Sequence, residues 1–201
     1  ERFDTLGVNR LVMGPWNHGG WYDPGTALGQ VQFGDSTGVW FRREVEAPFF
    51  AYYLKDRGPL TLPEALAFEG GSNRWRRFDA WPPREATLRN LYFLEGGRLG
   101  FAAPTAIANA FDEYVSDPAH PVPYRPRPVQ VTYSQGSQWG IWQAMDQRFV
   151  EGRPDVLAWA TEPLAEDVVI AGDLSARLFA STSGSDSIQS GTYASGKSRK
   201  A

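Results

Sequence analysis

Cysteine is absent from this 201-residue chain, which excludes disulfides and thiolate metal sites but leaves the cellular compartment open. Histidine is scarce, with two residues, His18 and His120. They lie about a hundred positions apart without a carboxylate at helical spacing, so neither a metal nor a cofactor is expected. No apolar run approaches the roughly 20 residues that cross a bilayer, so no membrane association is expected. Lys and Arg form no stripe and the formal charge is −3, which argues against nucleic acid, whose phosphates need a concentrated basic surface. The opening Glu1-Arg2-Phe3-Asp4 has neither a starting Met nor the basic and apolar order of a signal peptide, from which a processed, excised or partial chain is expected. Solenoid repeats and heptads are missing as well.

What the chain does have is apolar and aromatic material, at 42% and 14%, enough to build a packed core. Residues 6–14 read as a buried strand, because Val8, Leu11, Val12 and Met13 crowd a short segment before the Gly14-Pro15 break. Residues 39–55 carry Trp40, Phe41, Val45, Phe49, Tyr52 and Tyr53 at mixed helical spacing. They predict a helix that Pro48 kinks, or two shorter helices, since proline cannot donate the backbone bond and crowds the preceding turn. Asp56-Arg57-Gly58-Pro59 stops it, and a domain boundary is expected between Gly58 and Glu64.

From Glu64 the period turns to strands. Leu66 and Phe68 alternate with Ala65, Ala67 and Glu69, residues 88–94 are apolar, and Gly96-Gly97 fits a hairpin turn. Prolines at Trp81-Pro82-Pro83 and along residues 117–124 demand extended connections. Residues 156–160, 167–170 and 174–181 read as three more strands. Short strands with long Pro-rich crossings predict a mainly β fold, a sandwich of jelly-roll type. The end of the chain is rich in Ser, Gly, Lys and Arg, and residues 186–201 are expected to form a flexible tail.

His18 is the candidate for chemistry. The apolar run ends in a turn and presents this imidazole beside Trp16 and Trp21, where it suits general base work but needs a nucleophile to deprotonate and an acid to orient it. An incidental loop histidine is the alternative. A Gly-x-Ser-x-Gly string occurs at Gly34-Asp35-Ser36-Thr37-Gly38. It is fed only by the short Leu28-Gly29-Gln30-Val31-Gln32-Phe33, and Ser36 follows His18 where α/β-hydrolases place the serine first, so a turn and helix cap is the expected reading. His120, between Ala119 and Pro121 in a Pro-rich connection, is expected to be structural or solvent-facing. Asp112, Glu113, Asp146 and Asp155 are acids that pair with arginine or cap turns more often than they orient an imidazole. Trp75, Trp81, Trp139, Trp142 and Trp159 are expected to be core and interface anchors.

Several strings then combine: Leu11-Val12-Met13-Gly14-Pro15-Trp16-Asn17-His18-Gly19, Ala47-Pro48-Phe49-Phe50-Ala51-Tyr52-Tyr53-Leu54-Lys55, Gly71-Ser72-Asn73-Arg74-Trp75, Asp112-Glu113-Tyr114-Val115-Ser116-Asp117-Pro118, and Asp146-Gln147-Arg148-Phe149 through Arg153-Pro154-Asp155-Val156-Leu157. In this order, from about Leu11 to about Asp186, the chain resembles the serine hydrolase family of cocaine esterase, α-amino acid ester hydrolases, glutaryl acylases and X-Pro dipeptidyl-peptidases. The resemblance implies that His18 is the triad histidine at the end of an α/β-hydrolase strand, and that the serine elbow and the acid lie N-terminal to it in a catalytic domain this chain lacks. Residues 1–60 would then be the last strand and helix of an α/β-hydrolase domain. Residues 61–185 would be a galactose-binding-like jelly roll, incomplete at its C-terminal end, where the sequence turns polar after Ser181-Thr182-Ser183-Gly184-Ser185-Asp186 as a truncated or frame-shifted chain would.

The implied activity is hydrolysis of small esters, amides or X-Pro dipeptides by a Ser-Asp-His triad, of which only the histidine is present, so the chain alone is expected to be inactive. Uncovered edge strands and core faces predict poor stability or aggregation. Two other readings stay open: a non-catalytic β-sandwich that grips a sugar, peptide or protein, and a module for interdomain packing or homo-oligomer formation.

Overall fold

The structure, a computed structural model, describes residues 9–105 and 110–183. Strands outnumber helices in it, and the architecture is mainly β. The first strand, β1 (Leu11–Met13), leads through a long loop and a small hairpin, β2 (Ala27–Leu28) and β3 (Val31–Gln32), into helix α1 (Thr37–Phe41). A π-helical turn (Arg42–Glu46) joins it to α2 (Ala47–Lys55). Then come β4 (Ala65–Glu69), β5 (Arg74–Phe78), β6 (Tyr92–Leu94) and β7 (Arg98–Gly100), followed by two 3-10 turns, Trp139–Ala144 and Arg148–Val150.

β1 and β4 pair in parallel, Leu11 opposite Ala65 and Met13 opposite Ala67. A parallel pair needs a crossover, and the helical segment provides it, so residues 11–69 form a βαβ unit. β5 adds to the other edge of β4 in antiparallel register, Phe68 opposite Trp75. The sheet therefore joins strands from either side of residues 58–64, which themselves form no strand. As the central strand, β4 is covered on both faces, and Ala65 and Leu66 are 0% and 2% exposed. Around it gathers an aromatic cluster. Trp75 stacks on Trp40 at 4.7 Å between ring centroids, meets Phe68 edge-on at 5.4 Å and Trp16 at 5.8 Å. Phe33 closes on Phe68 at 5.7 Å. Trp81 packs on Phe78 and Trp159 on Phe93 as anchors, whereas Trp139, expected to be an anchor too, meets Tyr133 at the surface and is 40% exposed.

Pro48 shapes the helix by a different route from a simple kink. It sits in the first turn of α2, where no N–H is needed, and the turn before it widens into the π form. The Ala47 N–H reaches back to the Arg42 carbonyl, one residue further than in an α-helix, which accommodates the pyrrolidine ring. The wide turn also buries Val45, 4% exposed. α2 then ends on Asp56 in the left-handed region, φ 49°.

The β6–β7 hairpin turns through Gly96 and Gly97, φ 76° and 72°, as the double glycine predicts. Other strand expectations need correction. Of residues 6–14, those from 6 to 8 lie outside the described residues, and the ladder covers Leu11–Met13. Residues 88–94 contribute only Tyr92–Leu94, because β7 offers just that length of partner, and Leu88 stays 90% exposed. β5 was not expected at all, its Arg74, Arg76 and Arg77 masking the strand pattern.

Residues 156–160, 167–170 and 174–181 form no ladder; Ala160 alone makes a parallel bridge, to Arg98. Alternation decides which side chains share a face, but a strand exists only beside a neighbour with free backbone groups, and among the described residues these segments find such pairing only at the Ala160 bridge to β7. Val169, Ile170, Leu174, Leu178 and Phe179 are accordingly exposed. The expected tail, residues 186–201, lies outside the described residues.

Leu66→Ala should lower unfolding free energy by about 3 kcal/mol, because it empties a fully packed site. Leu88→Ala should change it by less than about 0.5 kcal/mol. Paired urea titrations check both, and equal effects would contradict this placement of the core.

Candidate functional site

The loop that follows β1 carries His18, and its path is dictated by glycine and indole. The Trp16 ring folds back so closely over Gly14 that a Cβ there would lie 2.1 Å from it. The indole then inserts between Phe41, at 5.1 Å, and Trp75. Its Nε1–H donates to the Thr37 hydroxyl at 2.8 Å, and that hydroxyl donates to the Gly25 carbonyl at 2.5 Å. Thr37 is 1% exposed. Backbone bonds add to the clamp, from Thr37 N–H to Gly25 O at 3.2 Å and from Gly38 N–H to Pro24 O at 3.0 Å. The two segments approach backbone to backbone, and a Cβ on Gly38 would lie 2.2 Å from the Asp23 carbonyl. The Arg42 guanidinium donates to the carbonyls of Trp21 and Asp23.

Within this clamped loop, Asn17-His18-Gly19-Gly20 forms a β-turn closed by Gly20 N–H to Asn17 O at 3.0 Å, with Gly19 at φ 80°. That conformation suits glycine at the third position of the turn. His18 sits at its exposed tip. The ring meets Trp21 edge-on at 6.3 Å, and among the described residues no carboxylate or hydroxyl is hydrogen-bonded to it. The loop also bounds a cleft of about 260 Å³ whose walls include Trp16, Asn17, Asp23, Thr26 and Ile141. Asn17 Nδ2 donates to the Gly140 carbonyl at 2.6 Å, joining the loop to the 3-10 turn at Trp139–Ala144.

Ser36 takes the N-cap position of α1 with φ −82° and ψ 73°, and its N–H is bonded to the Asp35 carboxylate at 2.6 Å. Its hydroxyl makes no cap bond. β3 before it is a two-residue antiparallel strand, so the Gly-x-Ser-x-Gly string is a helix start in which Thr37 and Gly38 do the packing. His120 is exposed, with Nδ1 2.7 Å from Asp117 Oδ2. The His120 ring first, and the Ala119 N–H next, hold the Asp117 carboxyl below its usual range. Asp155 pairs with Arg153 at 2.6 Å and is likewise lowered, while Asp146 pairs with Arg148. Asp112 and Glu113 are exposed. Among the described residues no group of three or more His, Asp or Glu converges as a metal would need.

Sequence reasoning singles out His18 but not the roles of Asn17, Thr37, Arg42 and Gly140, which hold its loop. Only Thr37 carried a local signal, between two glycines at a helix start. Thr37→Val keeps the shape and removes the hydroxyl, stranding the buried Trp16 N–H. It should cost about 1–3 kcal/mol in urea denaturation, with Thr37→Ser close to the parent; equal losses in both would refute the hydrogen-bond argument.

Comparison with known proteins gives the family. Residues 58–190 match the family described as the X-Pro dipeptidyl-peptidase C-terminal non-catalytic domain. Cocaine esterase of Rhodococcus is 28% identical over 186 residues, covering 88% of this chain and 31% of that protein. The crystal structure of an aminopeptidase from a marine sediment Thaumarchaeota archaeon is 52% identical, with TM-score 0.74 over 78% of this chain and 25% of its own. An α-amino acid ester hydrolase structure is 46% identical, with TM-score 0.74 over 82% of this chain and 27% of its own. The chain thus spans less than a third of the length of each of these relatives. It belongs to the X-Pro dipeptidyl-peptidase C-terminal non-catalytic domain family, and fits the C-terminal part of the cocaine-esterase-type serine hydrolases.

Proposed function

We propose that this chain is the C-terminal part of a serine hydrolase that cleaves ester or amide bonds, acyl or X-Pro dipeptidyl, through a Ser-Asp-His triad to which it contributes His18. The observation that carries this reading is the position of His18. It follows the C-terminal end of β1, a strand in a parallel βαβ unit, on an anchored loop with its ring exposed. Open α/β sheets gather ligands and reacting groups at that end of their strands. Residues 1–60 would be the closing strand and helix of the α/β-hydrolase domain, 61–185 a jelly roll, and 186–201 a tail. The serine and the aspartate would come from the catalytic domain upstream.

In such a triad His18 takes the serine proton as the hydroxyl attacks the carbonyl, then returns it to the departing alcohol or amine. Water repeats the sequence on the acyl-enzyme. The substrates would be small esters, amides or short peptides, with no metal or cofactor involved. The exposed Leu174, Leu178 and Phe179 and the α2 side chains Phe50 and Leu54 favour a packing role for the rest of the chain, against the catalytic domain or a second copy.

The source gene should encode a Gly-x-Ser-x-Gly elbow and a later aspartate upstream of this segment. With that part joined, His18→Ala should lower kcat/KM for p-nitrophenyl esters by about 10⁴-fold. The chain alone should be no faster than its own His18→Ala variant. Undiminished turnover by the joined His18→Ala enzyme, or burst kinetics of the lone chain lost in Ser36→Ala, would overturn the assignment.

A further inference from the structure

We propose that Asn17 is a positioning residue through which the 3-10 turn Trp139–Ala144, inside the region matched as non-catalytic, holds the His18 turn in register; the idea rests on His18 being the triad histidine. Asn17 immediately precedes His18 and lies outside residues 58–190, whereas Gly140 lies within them. Their bond, 2.6 Å between Asn17 Nδ2 and the Gly140 carbonyl, is partly buried and spans 123 positions of sequence. It bridges the two parts of the chain at the residue next to the candidate base.

The surrounding geometry gives this bond few alternatives. The Asn17 carbonyl accepts from Gly20 N–H and closes the turn. Its side-chain oxygen lies where a Cβ on Gly20 would be 2.5 Å away, so the amide is folded down over its own turn. On the other side, a Cβ on Gly140 would sit 3.3 Å from Asn17 Nδ2, and the close approach is eased by glycine there. Ile141, the next residue, rests against the β2–β3 turn, 3.4 Å from where a Cβ on Gly29 would stand.

A primary amide has two N–H donors and one carbonyl acceptor. Here one donor spends its bond on a backbone carbonyl, which side-chain substitution at Gly140 cannot remove. The anchor from Trp16 to Thr37 lies within the βαβ unit, whereas the Asn17 side chain supplies a direct hydrogen bond from the His18 turn to residues 139–144. Small misplacement of a reacting group costs rate steeply, about 10²-fold for 1 Å, which makes such a strut consequential for catalysis and nearly neutral for substrate binding.

Two measurements test the idea separately from the reading beneath it. In the chain as it stands, Asn17→Ala should quicken hydrogen exchange at the Gly20 amide about ten-fold, as expected for loss of one ordinary hydrogen bond. The Gly38 amide, held by the Thr37 clamp, should change less than about two-fold. If Asn17→Ala unfolds the chain, Asn17→Asp, whose carboxylate cannot donate to the Gly140 carbonyl, carries the same exchange comparison. In the enzyme joined to its catalytic domain, Asn17→Ala should lower kcat about ten-fold with KM within about two-fold, and Asn17→Gln, which keeps the donor, should recover part of the loss.

Unchanged Gly20 exchange overturns the coupling. Faster exchange with unchanged kcat overturns the positioning role and leaves a structural contact, and a raised KM at constant kcat overturns it in favour of substrate binding. Loss of activity in His18→Ala alongside any of these would leave the triad assignment standing. Retained activity in His18→Ala would instead remove the assignment, whatever the exchange data show.

Discussion

One buried hydroxyl governs where the candidate site can be. Thr37 accepts from the Trp16 indole and donates to the Gly25 carbonyl, and a hydroxyl can do both at once where an amide nitrogen or a methyl cannot. Because the residue is 1% exposed, water cannot replace either bond, and the loop from Gly14 to Gly25 has one low-energy course. Glycines at 25 and 38 let the two backbones meet. His18 owes its position at the tip to constraints on both sides of it rather than to any bond of its own.

That clamp in turn needs a fixed wall to hold against, and the aromatic cluster supplies it. Trp75 on β5 touches Trp16 from the loop, Trp40 from α1 and Phe68 from β4, so one ring records the relative placement of sheet, helix and loop. Edge-on and offset ring pairs add about 0.5–1.5 kcal/mol each beyond their buried area. The π turn before Pro48 extends the same logic along the chain, since it rotates Val45 inward against the core while α2 beyond it has no fully buried residue.

Legibility in the sequence followed the range of the interaction. Local chemistry was readable: the Gly14-Pro15 break, the Gly96-Gly97 hairpin, the alternation in β4 and the weakness of the Ser36 string all depend on a few neighbouring residues. Pairing partners were not. β5 hides behind three arginines: Arg74 and Arg76 share one face, Arg76 pairing with Glu69 of β4, and Arg77 interrupts the face that carries Trp75, while the alternation of residues 174–181 says nothing about whether a neighbouring strand is present. The His18 loop shows both cases, since its turn could be anticipated from glycine while its tie to Gly140 spans 123 positions and leaves no local trace.

The two histidines differ in how their rings are held. His120 has its acid three residues away, and the Asp117 carboxylate meets the ring and also takes the Ala119 N–H in the same turn. Such a pair forms locally at little conformational cost, and in an exposed turn it secures the chain while adding little stability. A triad histidine meets the opposite requirement: its partners must arrive from distant parts of the chain, so its own segment has to hold the ring's base in place without occupying the ring nitrogens. The His18 segment has that form, with the neighbours Trp16 and Asn17 both tethered by side-chain bonds and the His18 ring edge-on to Trp21. Under the proposed triad role of His18, the acid beside a histidine is the weaker guide in this fold, and rigid support beneath an open imidazole the stronger one.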